Sequence, residues 1–408
     1  MRGRVARRRL LGACVLGTLP LLAACGAAAT PPAPGDAIKP VGTAAAPTPA
    51  GASTPTVGAT AVPTPVAASK PTSAATTAAP TGTAAPAGAP AATRSAVPAA
   101  TGPSPTGAPA KPSGPPGAPG RWTTRAPAPT PRSELAAAAV DGRVYLLAGT
   151  AGGRGLANEE YDADGDAWRK RKVIPVSREG AGRHHPGAAA WNGKVYLIGG
   201  FDFGGRPLDS AVEYDPSADA WRALPPMPTP RGALALVELE GKLYAVGGVG
   251  AQGDTGTAER YDPAAERWTQ LRPMPSQRDH LALGATGGRL YAIGGRVGSM
   301  ANNLGVNEEY DPKADAWATR RPMPTPRSGL AAAVLGGRLH VFGGESPSKT
   351  FDENEEYDPA VDAWTARARM PSPRHGLAAV TIGDRIYVLG GGPTPGGSES
   401  ALNQAFGF

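Results

Sequence analysis

Short apolar runs separated by glycine-containing turns dominate the chain from residue 121 to residue 408. Between Pro230 and Trp268, two such runs flank a Glu-Gly pair at 240–241, where the glycine supplies the positive φ of a tight hairpin turn. A double glycine ends the second run. A variable loop follows, then a short run ending at Tyr261 and a last run that carries Trp268. The pattern predicts a four-stranded antiparallel meander.

The same pattern recurs along the chain. Arginines open the copies at intervals of 51, 48, 47, 49 and 47 residues: Arg132, Arg183, Arg231, Arg278, Arg327 and Arg374. Thirteen residues after each arginine stands a tyrosine, or His340 in the fifth copy, and a double glycine follows in every copy except the first. Five copies then place a tyrosine seven residues before a tryptophan. A period near 50 residues with four strands per unit is typical of propeller repeats.

The order of double glycine, Tyr-Asp, Trp and Pro-Arg resembles the kelch repeat over roughly residues 121–408. The resemblance implies an all-β fold, a six-bladed kelch β-propeller with four-stranded antiparallel blades. The sixth copy lacks its tryptophan strand, but Trp122 stands ten residues before Arg132, the spacing found between tryptophan and arginine in the later copies. We therefore expect residues 120–125 to pair with the C-terminal segment 401–408 and close the ring.

Residues 1–24 have the pattern of an export signal. Five arginines precede an apolar run too short to span a membrane as a stable helix, and small residues lead to Cys25. This ending resembles a bacterial lipobox, which implies cleavage before Cys25 and a lipid on its sulfur. The resemblance predicts a protein anchored to the outside of the bacterial cell membrane. An ordinary signal peptide with an incidental cysteine is the alternative.

Residues 25–120 are rich in Ala, Pro, Thr and Gly and hold almost no large apolar side chains. Such a segment cannot bury enough surface to offset the entropy of ordering it, so we expect a disordered linker that acts as a spacer. The signal and linker also carry the excess positive charge. The whole chain is +7, but residues 121–408 are close to −1, so the basic balance does not predict nucleic-acid binding.

Alternate connections of an up-and-down blade lie on opposite faces. The connections after each double glycine and those entering each arginine vary in length and chemistry, as binding loops on a rigid scaffold do. Kelch substrate adaptors of ubiquitin ligases bind acidic peptides with arginines at matching positions. The resemblance therefore implies a ligand-binding ring of Arg132, Arg183, Arg231, Arg278, Arg327 and Arg374. The structural alternative is that each arginine binds loop carbonyls or pairs with a repeated glutamate.

Departures between the copies give further candidates on this face. Phe201 and Phe203 offer aromatic rings for stacking on a sugar or a peptide, and Arg296 opens the longest loop. Several polar residues directly follow the repeat arginines and are expected to face the channel: Glu134, His184, His185, Asp279, His280 and His375. Their spacing along the chain is not that of metal ligands, so no metal site and no cofactor are predicted.

Three functions are compatible with this pattern. We favour a monomeric binding module that recognises a glycan, a cell-wall fragment or a protein partner. A carbohydrate-active enzyme is the first alternative, because a periplasmic sialic-acid mutarotase is also a six-bladed kelch protein; Asp279, His280 and Glu345 would supply acid and base. Galactose oxidase chemistry is excluded, since its cofactor needs a cysteine and residues 121–408 have none. A structural envelope protein is the second alternative.

Overall fold

The computed structural model describes residues 118–150, 155–176 and 182–408. The predicted signal peptide, Cys25 and nearly all of the predicted linker lie outside the described residues. Every regular element in the described ranges is a β-strand. Within the same ranges, no helix has the length and hydropathy needed to cross a membrane.

Six antiparallel four-stranded sheets form the blades, which confirms the predicted six-bladed propeller. The first strand in the described ranges, β1 (Arg121–Thr124), belongs to the last blade. From the channel outward, blade 1 is built from β2 (Ala136–Val140), β3 (Arg143–Leu147), β4 (Asn158–Asp162) and β5 (Ala167–Lys170). Blade 2 is built from β6 (Gly187–Trp191), β7 (Lys194–Ile198), β8 (Ala211–Asp215) and β9 (Ala220–Ala223). Blade 3 is built from β10 (Ala235–Leu239), β11 (Lys242–Val246), β14 (Ala258–Asp262) and β15 (Arg267–Gln270), and β12 (Val249–Gly250) and β13 (Gly253–Asp254) form a small ribbon beside it.

Blades 4 to 6 repeat this order. Blade 4 is built from β16 (Ala282–Thr286), β17 (Arg289–Ile293), β20 (Asn307–Asp311) and β21 (Ala316–Arg320), with a ribbon of β18 (Arg296–Val297) and β19 (Ser299–Asn303). Blade 5 is built from β22 (Ala331–Leu335), β23 (Arg338–Phe342), β24 (Asn354–Asp358) and β25 (Ala363–Ala366). Blade 6 is built from β26 (Ala378–Ile382), β27 (Arg385–Leu389), β28 (Asn403–Gly407) and β1.

The two termini of the propeller close the ring as predicted. β1 pairs antiparallel with β28, and Trp122 lies opposite Phe406 in this register. The indole N–H of Trp122 donates to the carbonyl of Ala368 at 2.8 Å, which ties the latch strand to the connection between blades 5 and 6. Closure gives the last blade its fourth strand, so the outer edge of β28 is paired rather than left open.

Tight hairpins join the first two strands of every blade. In five blades both central residues have positive φ, as at Asp141 (48°) and Gly142 (76°), which is the type I′ geometry that matches the twist of the strands. These hairpins and the turns between third and fourth strands share one face, the hairpin face. The connections between second and third strands and those between blades share the opposite face, which we call the loop face.

The hydrophobic core consists of six clusters, one at each interface between neighbouring blades. Side chains of the second strand of one blade pack against the second and third strands of the next; Tyr145, for example, lies 5.6 Å from Tyr214, measured between ring centroids. The third-strand tyrosine also packs on the tryptophan of its own blade, at 5.0 Å for Tyr161 and Trp168. The aromatic repeat thus fills the spaces between blades.

A hydroxyl–carboxylate bond accompanies this aromatic pair in four blades. The tyrosine hydroxyl donates to an aspartate five residues later, at 2.5 to 2.7 Å: Tyr161 to Asp166, Tyr214 to Asp219, Tyr310 to Asp315 and Tyr357 to Asp362. Each aspartate also accepts a backbone N–H from the connection that enters its blade. Blade 3 has Glu266 at this position, and the buried hydroxyl of Tyr261 has no partner.

The Glu266→Asp substitution is therefore expected to stabilise the propeller. The shorter carboxylate can accept the Tyr261 hydroxyl, as its counterparts do, and satisfying this buried group should contribute about 1 to 3 kcal/mol to the free energy of unfolding. The exposed ion pair of Glu266 with Arg222 would be lost, at a cost below about 1 kcal/mol. Urea unfolding of both proteins measures the difference. Asp315→Glu in blade 4 is the matched control and should lower stability; equal stabilities in both comparisons would contradict the prediction.

Candidate functional site

The six arginines that open the repeats lie in the protein interior, each at most 3% exposed. Arg231 shows the full contact set. Its guanidinium donates to the carbonyls of Gly247 (3.0 Å) and Ala245 (2.9 Å), and to the carboxylate of Glu259 at 2.5 Å. The arginine therefore clamps the entrance of the first strand to the end of the second strand in its own blade.

The arginines of blades 1, 4 and 5 pair with the equivalent glutamates: Arg132 with Glu159, Arg278 with Glu308 and Arg327 with Glu355. In blade 2 the glutamate position is occupied by Val212, and Arg183 donates to the hydroxyl of Ser210 instead. In blade 6, Arg374 donates to the side-chain amide oxygen of Gln404 at 2.6 Å. Burial lowers the pKa of Arg183 and of Arg374 to about 10, so both remain charged at neutral pH.

These contacts correspond to the structural alternative for the arginines. Their donors are directed at carbonyls and glutamates inside the blades, so no guanidinium of this set is presented to a ligand on the loop face. The mutarotase hypothesis needs a channel arginine beside Asp279 and His280, and Arg278 cannot fill that role. Arg296 occupies that place.

The residues two positions after the arginines form a closed ring around the channel, which we call the annulus: Glu134, His185, Ala233, His280, Gly329 and Gly376. All six have left-handed backbone conformations, with φ between 49° and 66°. Each backbone N–H donates to the carbonyl of the annulus residue in the preceding blade, with N···O distances of 2.8 to 3.0 Å. A closed ring of six hydrogen bonds thus joins all six blades at the loop-face end of the channel.

The channel narrows sharply at the annulus. A cavity of about 80 Å³ lies between the annulus residues and the leucines or proline that follow them. Along the inner strands, toward the hairpin face, a second cavity of about 380 Å³ is lined mostly by small apolar side chains. The annulus therefore separates an apolar channel from a polar cluster on the loop face.

Arg296 is the centre of one half of the polar cluster. Its guanidinium donates to the carboxylates of Asp279 (3.1 Å) and Glu345 (2.9 Å), and lies 3.1 Å from Nε2 of His280. His280 Nδ1 forms a short hydrogen bond with Asp279. All four residues are candidates from the sequence, and they come together although they belong to two different blades.

Glu134 is the centre of the other half. One carboxylate oxygen lies 3.0 Å from Nε2 of His185, and the other lies 3.2 Å from Nδ1 of His375. Nδ1 of His375 also lies 3.4 Å from Glu345, which joins the two halves. Nδ1 of His185 contacts Nδ1 of His184. The polar cluster therefore spans blades 1, 2, 4, 5 and 6 around the channel axis.

Burial and charge shift several pKa values in the polar cluster. Burial alone would raise the pKa of Glu134, but the charge and hydrogen bond of His185 and the hydrogen bond of His375 hold it well below its ordinary value. Burial lowers the pKa of His280, against the opposing hydrogen bond from Asp279. For His375, burial is outweighed by Glu134 and Glu345, and the pKa is raised.

Asp254, a residue that the sequence did not single out, joins this cluster through Asp279. Burial and the hydrogen bond with Asp279 raise the pKa of Asp254 to about 6. The pKa of Asp279 falls to about 2, because His280 and Arg296 outweigh the effect of its burial. Asp254 and Asp279 are neighbouring carboxyl groups whose pKa values are shifted in opposite directions, and such a pair can hold and release a proton. The only sequence signal for Asp254 was its position in a variable loop.

Phe201 and Phe203 border the polar cluster on the blade 2 side. The ring of His184 lies 5.7 Å from that of Phe201 and 5.2 Å from that of Phe203. Phe203 is 48% exposed. Its loop is held by Asp202, whose carboxylate accepts the backbone N–H of residues 204 and 206. Phe203 is thus an exposed ring on a fixed loop.

The polar cluster also brings metal-ligating side chains together. Ligand atoms of Glu134, His185 and His280 lie within 4.8 Å of one another, and so do those of Glu134, Glu345 and His375. Ligand spacing along the chain predicted no metal site. That reasoning missed these groups because the members of each come from different blades, and propeller closure, not local sequence, makes them neighbours.

Comparisons with known proteins identify the repeats. A profile described as the KLHDC2/KLHL20/DRC7 Kelch-repeats domain matches residues 235–406, and a Kelch motif profile matches residues 182–228. The chain therefore contains kelch repeats, and these form its six-bladed propeller.

Curated relatives match over single stretches. Kelch-like protein 35 of Mus musculus is 31% identical over 122 residues, which cover 30% of this chain and 20% of that protein. Beta-scruin of Limulus polyphemus is 31% identical over 127 residues, which cover 29% of this chain and 13% of that protein. The chain thus spans a fifth or less of the length of these two relatives. The solved structure of YjhT superposes with a TM-score of 0.61 at 16% identity, covering 69% of this chain and 96% of that one, which shows a shared fold.

Replacement of a clamp arginine is expected to affect stability first. Arg278→Met should lower the free energy of unfolding by about 3 to 5 kcal/mol, because Glu308 is left as a buried, unpaired charge. Arg278→Met with Glu308→Leu should recover part of this loss. Arg222→Met, on an exposed ion pair, is the control and should cost below about 1 kcal/mol. Urea unfolding measures all three, and an unchanged stability of Arg278→Met would rule out the clamp.

Proposed function

We propose that these kelch repeats form an extracytoplasmic recognition module that binds a protein partner through the loop face of the propeller. The observation that carries the proposal is the presentation of Phe203, an exposed aromatic ring on a loop fixed by its own hydrogen bonds. Kelch propellers typically serve as protein-interaction modules, and the family match supports this class of function.

The chemistry around Phe203 suits a protein interface. Arg206 stands in the same loop, with its side chain 51% exposed, and aromatic and arginine side chains contribute most to binding energy at such interfaces. The loop is already held in shape: the backbone N–H of Asp202 donates to the carbonyl of Arg206 at 3.0 Å. A preformed loop loses little conformational entropy when a partner binds.

Val297 is a further large exposed apolar side chain on the loop face. It lies in the ribbon formed by β18 and β19, next to Arg296, and is 42% exposed. The partner is therefore expected to cover the mouth of the channel from the blade 2 side to the blade 4 side. The hairpin face has repeated, short turns and offers no comparable variation among its described connections.

The lipid anchor is part of the proposal. Modification of Cys25 would hold the chain at the outer surface of the bacterial cell membrane, and the Pro-rich segment up to residue 117 would separate the propeller from the bilayer. The proposal rests on the sequence pattern around Cys25. In this arrangement the propeller displays its loop face to partners outside the cytoplasm.

Phe203→Ser is expected to weaken partner binding at least about tenfold, because it removes an exposed aromatic contact without touching the blade cores. Val361→Ser is the matched control: Val361 is 68% exposed, but it lies on the hairpin face. The full-length protein would capture partners from the cell envelope, and each captured partner would then be titrated against the three proteins. A partner bound equally by wild type and Phe203→Ser would contradict the proposal, and saturable binding of oligosaccharides alone would replace it with glycan recognition. No specific ligand of either kind would favour a structural envelope role.

Sugar mutarotation is a second candidate, favoured by the convergence of Asp279, His280 and Glu345 on Arg296. Ring opening of a sugar needs an acid and a base within hydrogen-bond reach, and this half of the polar cluster holds both. Arg296 would take the place first assigned to Arg278 and contact the carboxylate of an acidic sugar.

The mutarotase hypothesis predicts that the full-length protein accelerates anomer exchange of an acidic sugar. NMR exchange spectroscopy measures the rate directly. Asp279→Asn should lower the rate by about 100-fold or more, because it removes a proton acceptor and the partner that orients His280. Asp352→Asn, on an exposed ion pair of the same face, is the control and should leave the rate unchanged. Exchange no faster than in buffer would exclude this candidate.

A further inference from the structure

We infer that Glu134, His185 and His280 form a binding site for one divalent transition-metal ion at the loop-face end of the channel. Neither the proposed partner binding nor the mutarotase candidate involves a metal ion. The metal site also does not depend on which partner the propeller binds. The ligands would be one carboxylate oxygen and two imidazole nitrogens.

Equivalent positions in three blades supply these ligands. The backbone at each annulus position is left-handed, a conformation in which glycine has the least strain, and blades 5 and 6 have glycine there. Blades 1, 2 and 4 instead hold Glu134, His185 and His280 in this conformation, with φ of 51°, 54° and 49°. Non-glycine residues in such conformations cluster at functional sites, because the surrounding structure must compensate for their strain.

The three side chains converge on one point. Their ligand atoms lie within 4.8 Å of one another, and the rings of His185 and His280 are 4.9 Å apart and nearly perpendicular. The remaining annulus residues are Ala233, Gly329 and Gly376, so no further annulus residue places a long side chain at the centre of the ring. Small adjustments of two imidazole rings and one carboxylate can close such a group around an ion.

Hydrogen bonds orient the lone pairs toward this point. The carbonyl of Asp202 accepts from Nε2 of His184, which leaves Nδ1 of a neutral His184 as the acceptor for Nδ1–H of His185. Nε2 of a neutral His185 then turns its lone pair toward the carboxylate of Glu134 at 3.0 Å. Two acceptors face each other, so a cation, either a proton or a metal ion, is required between them.

His280 is oriented in the manner usual for a metal ligand. Its Nδ1 is hydrogen-bonded to the carboxylate of Asp279, so Nε2 is the nitrogen left to bind an ion. Nη2 of Arg296 now lies 3.1 Å from this nitrogen. The guanidinium would have to withdraw that one contact on metal binding, while its bonds to Asp279 and Glu345 could remain.

The charge of the polar cluster also favours a cation. Glu134, Asp279 and Glu345 provide three carboxylates, and Arg296 is the only guanidinium that contacts them within hydrogen-bond distance among the described residues. A divalent ion would offset part of this excess negative charge. Two imidazoles and one carboxylate are a ligand set that zinc accepts with a fourth position open for water or for an oxygen atom of a bound molecule.

The test uses the full-length protein with no polyhistidine tag, stripped of metals by a chelator. Any thiol of Cys14 or Cys25 that processing leaves free is alkylated first, because thiolates bind zinc strongly. Calorimetric titration with Zn²⁺ should show one ion per chain. Co²⁺ substitution should give the visible spectrum of nitrogen and oxygen ligands, with no thiolate charge-transfer band.

Single substitutions then locate the ion. His185→Asn and His280→Asn should each weaken Zn²⁺ binding by about 100-fold or more, and Asp279→Asn, which orients His280 without binding the ion, should weaken it by about 10- to 100-fold. His340→Tyr is the matched control, since the other five blades have tyrosine at that position, and it should leave affinity and stoichiometry unchanged.

Three results would overturn the inference. Absence of zinc binding by the wild type would show that the cation between His185 and Glu134 is a proton. Undiminished binding by both histidine variants would place the ion elsewhere. Loss of binding in His375→Asn but not in His280→Asn would assign the ion to Glu134, Glu345 and His375 instead. Because a variant could fail to fold, Zn²⁺-dependent increases in Tm are measured for every protein; wild type and His340→Tyr should show them and His280→Asn should not.

Discussion

The buried arginine at the start of each inner strand is the contact on which the architecture depends. Its guanidinium binds carbonyls at the end of the second strand of its own blade, as Arg278 binds those of Gly294 and Ala292. Its backbone carbonyl accepts the N–H of the second residue in the glycine pair of the preceding blade, as Arg278 accepts from Gly248 at 3.0 Å. One residue thus fastens its blade internally and to its neighbour, and the six together close a ring.

The same contact explains the double glycine and the annulus. A Cβ on Gly248 would lie 2.6 Å from the carbonyl of Gly232, and its φ of 103° disfavours any side chain. With the arginine and the glycine pair fixed, the residue two positions after the arginine has to turn inward in a left-handed conformation. Side chains at that position, such as Glu134 and His280, therefore point toward the channel axis and build the polar cluster.

Much of the fold could be predicted because it depends on local spacing. The Glu-Gly turn at 240–241, the aromatic pair of Tyr261 and Trp268, and the position of Trp122 before the first arginine each specify a strand or its pairing partner. The candidate site was predictable only in part. His280, Arg296 and Glu345 were named as loop-face candidates, but Asp254 carried no signal that separates it from other loop residues.

The sequence by itself determined the number of blades, the latch between the termini and the aromatic filling between blades, since each follows from spacings within one repeat or between its ends. Only the tertiary structure decided that the six arginines face inward, because a charged residue's burial depends on the carbonyls and glutamates that surround it. It also decided that Glu134, His185 and His280 meet, because ring closure brings equivalent positions of different blades to one axis.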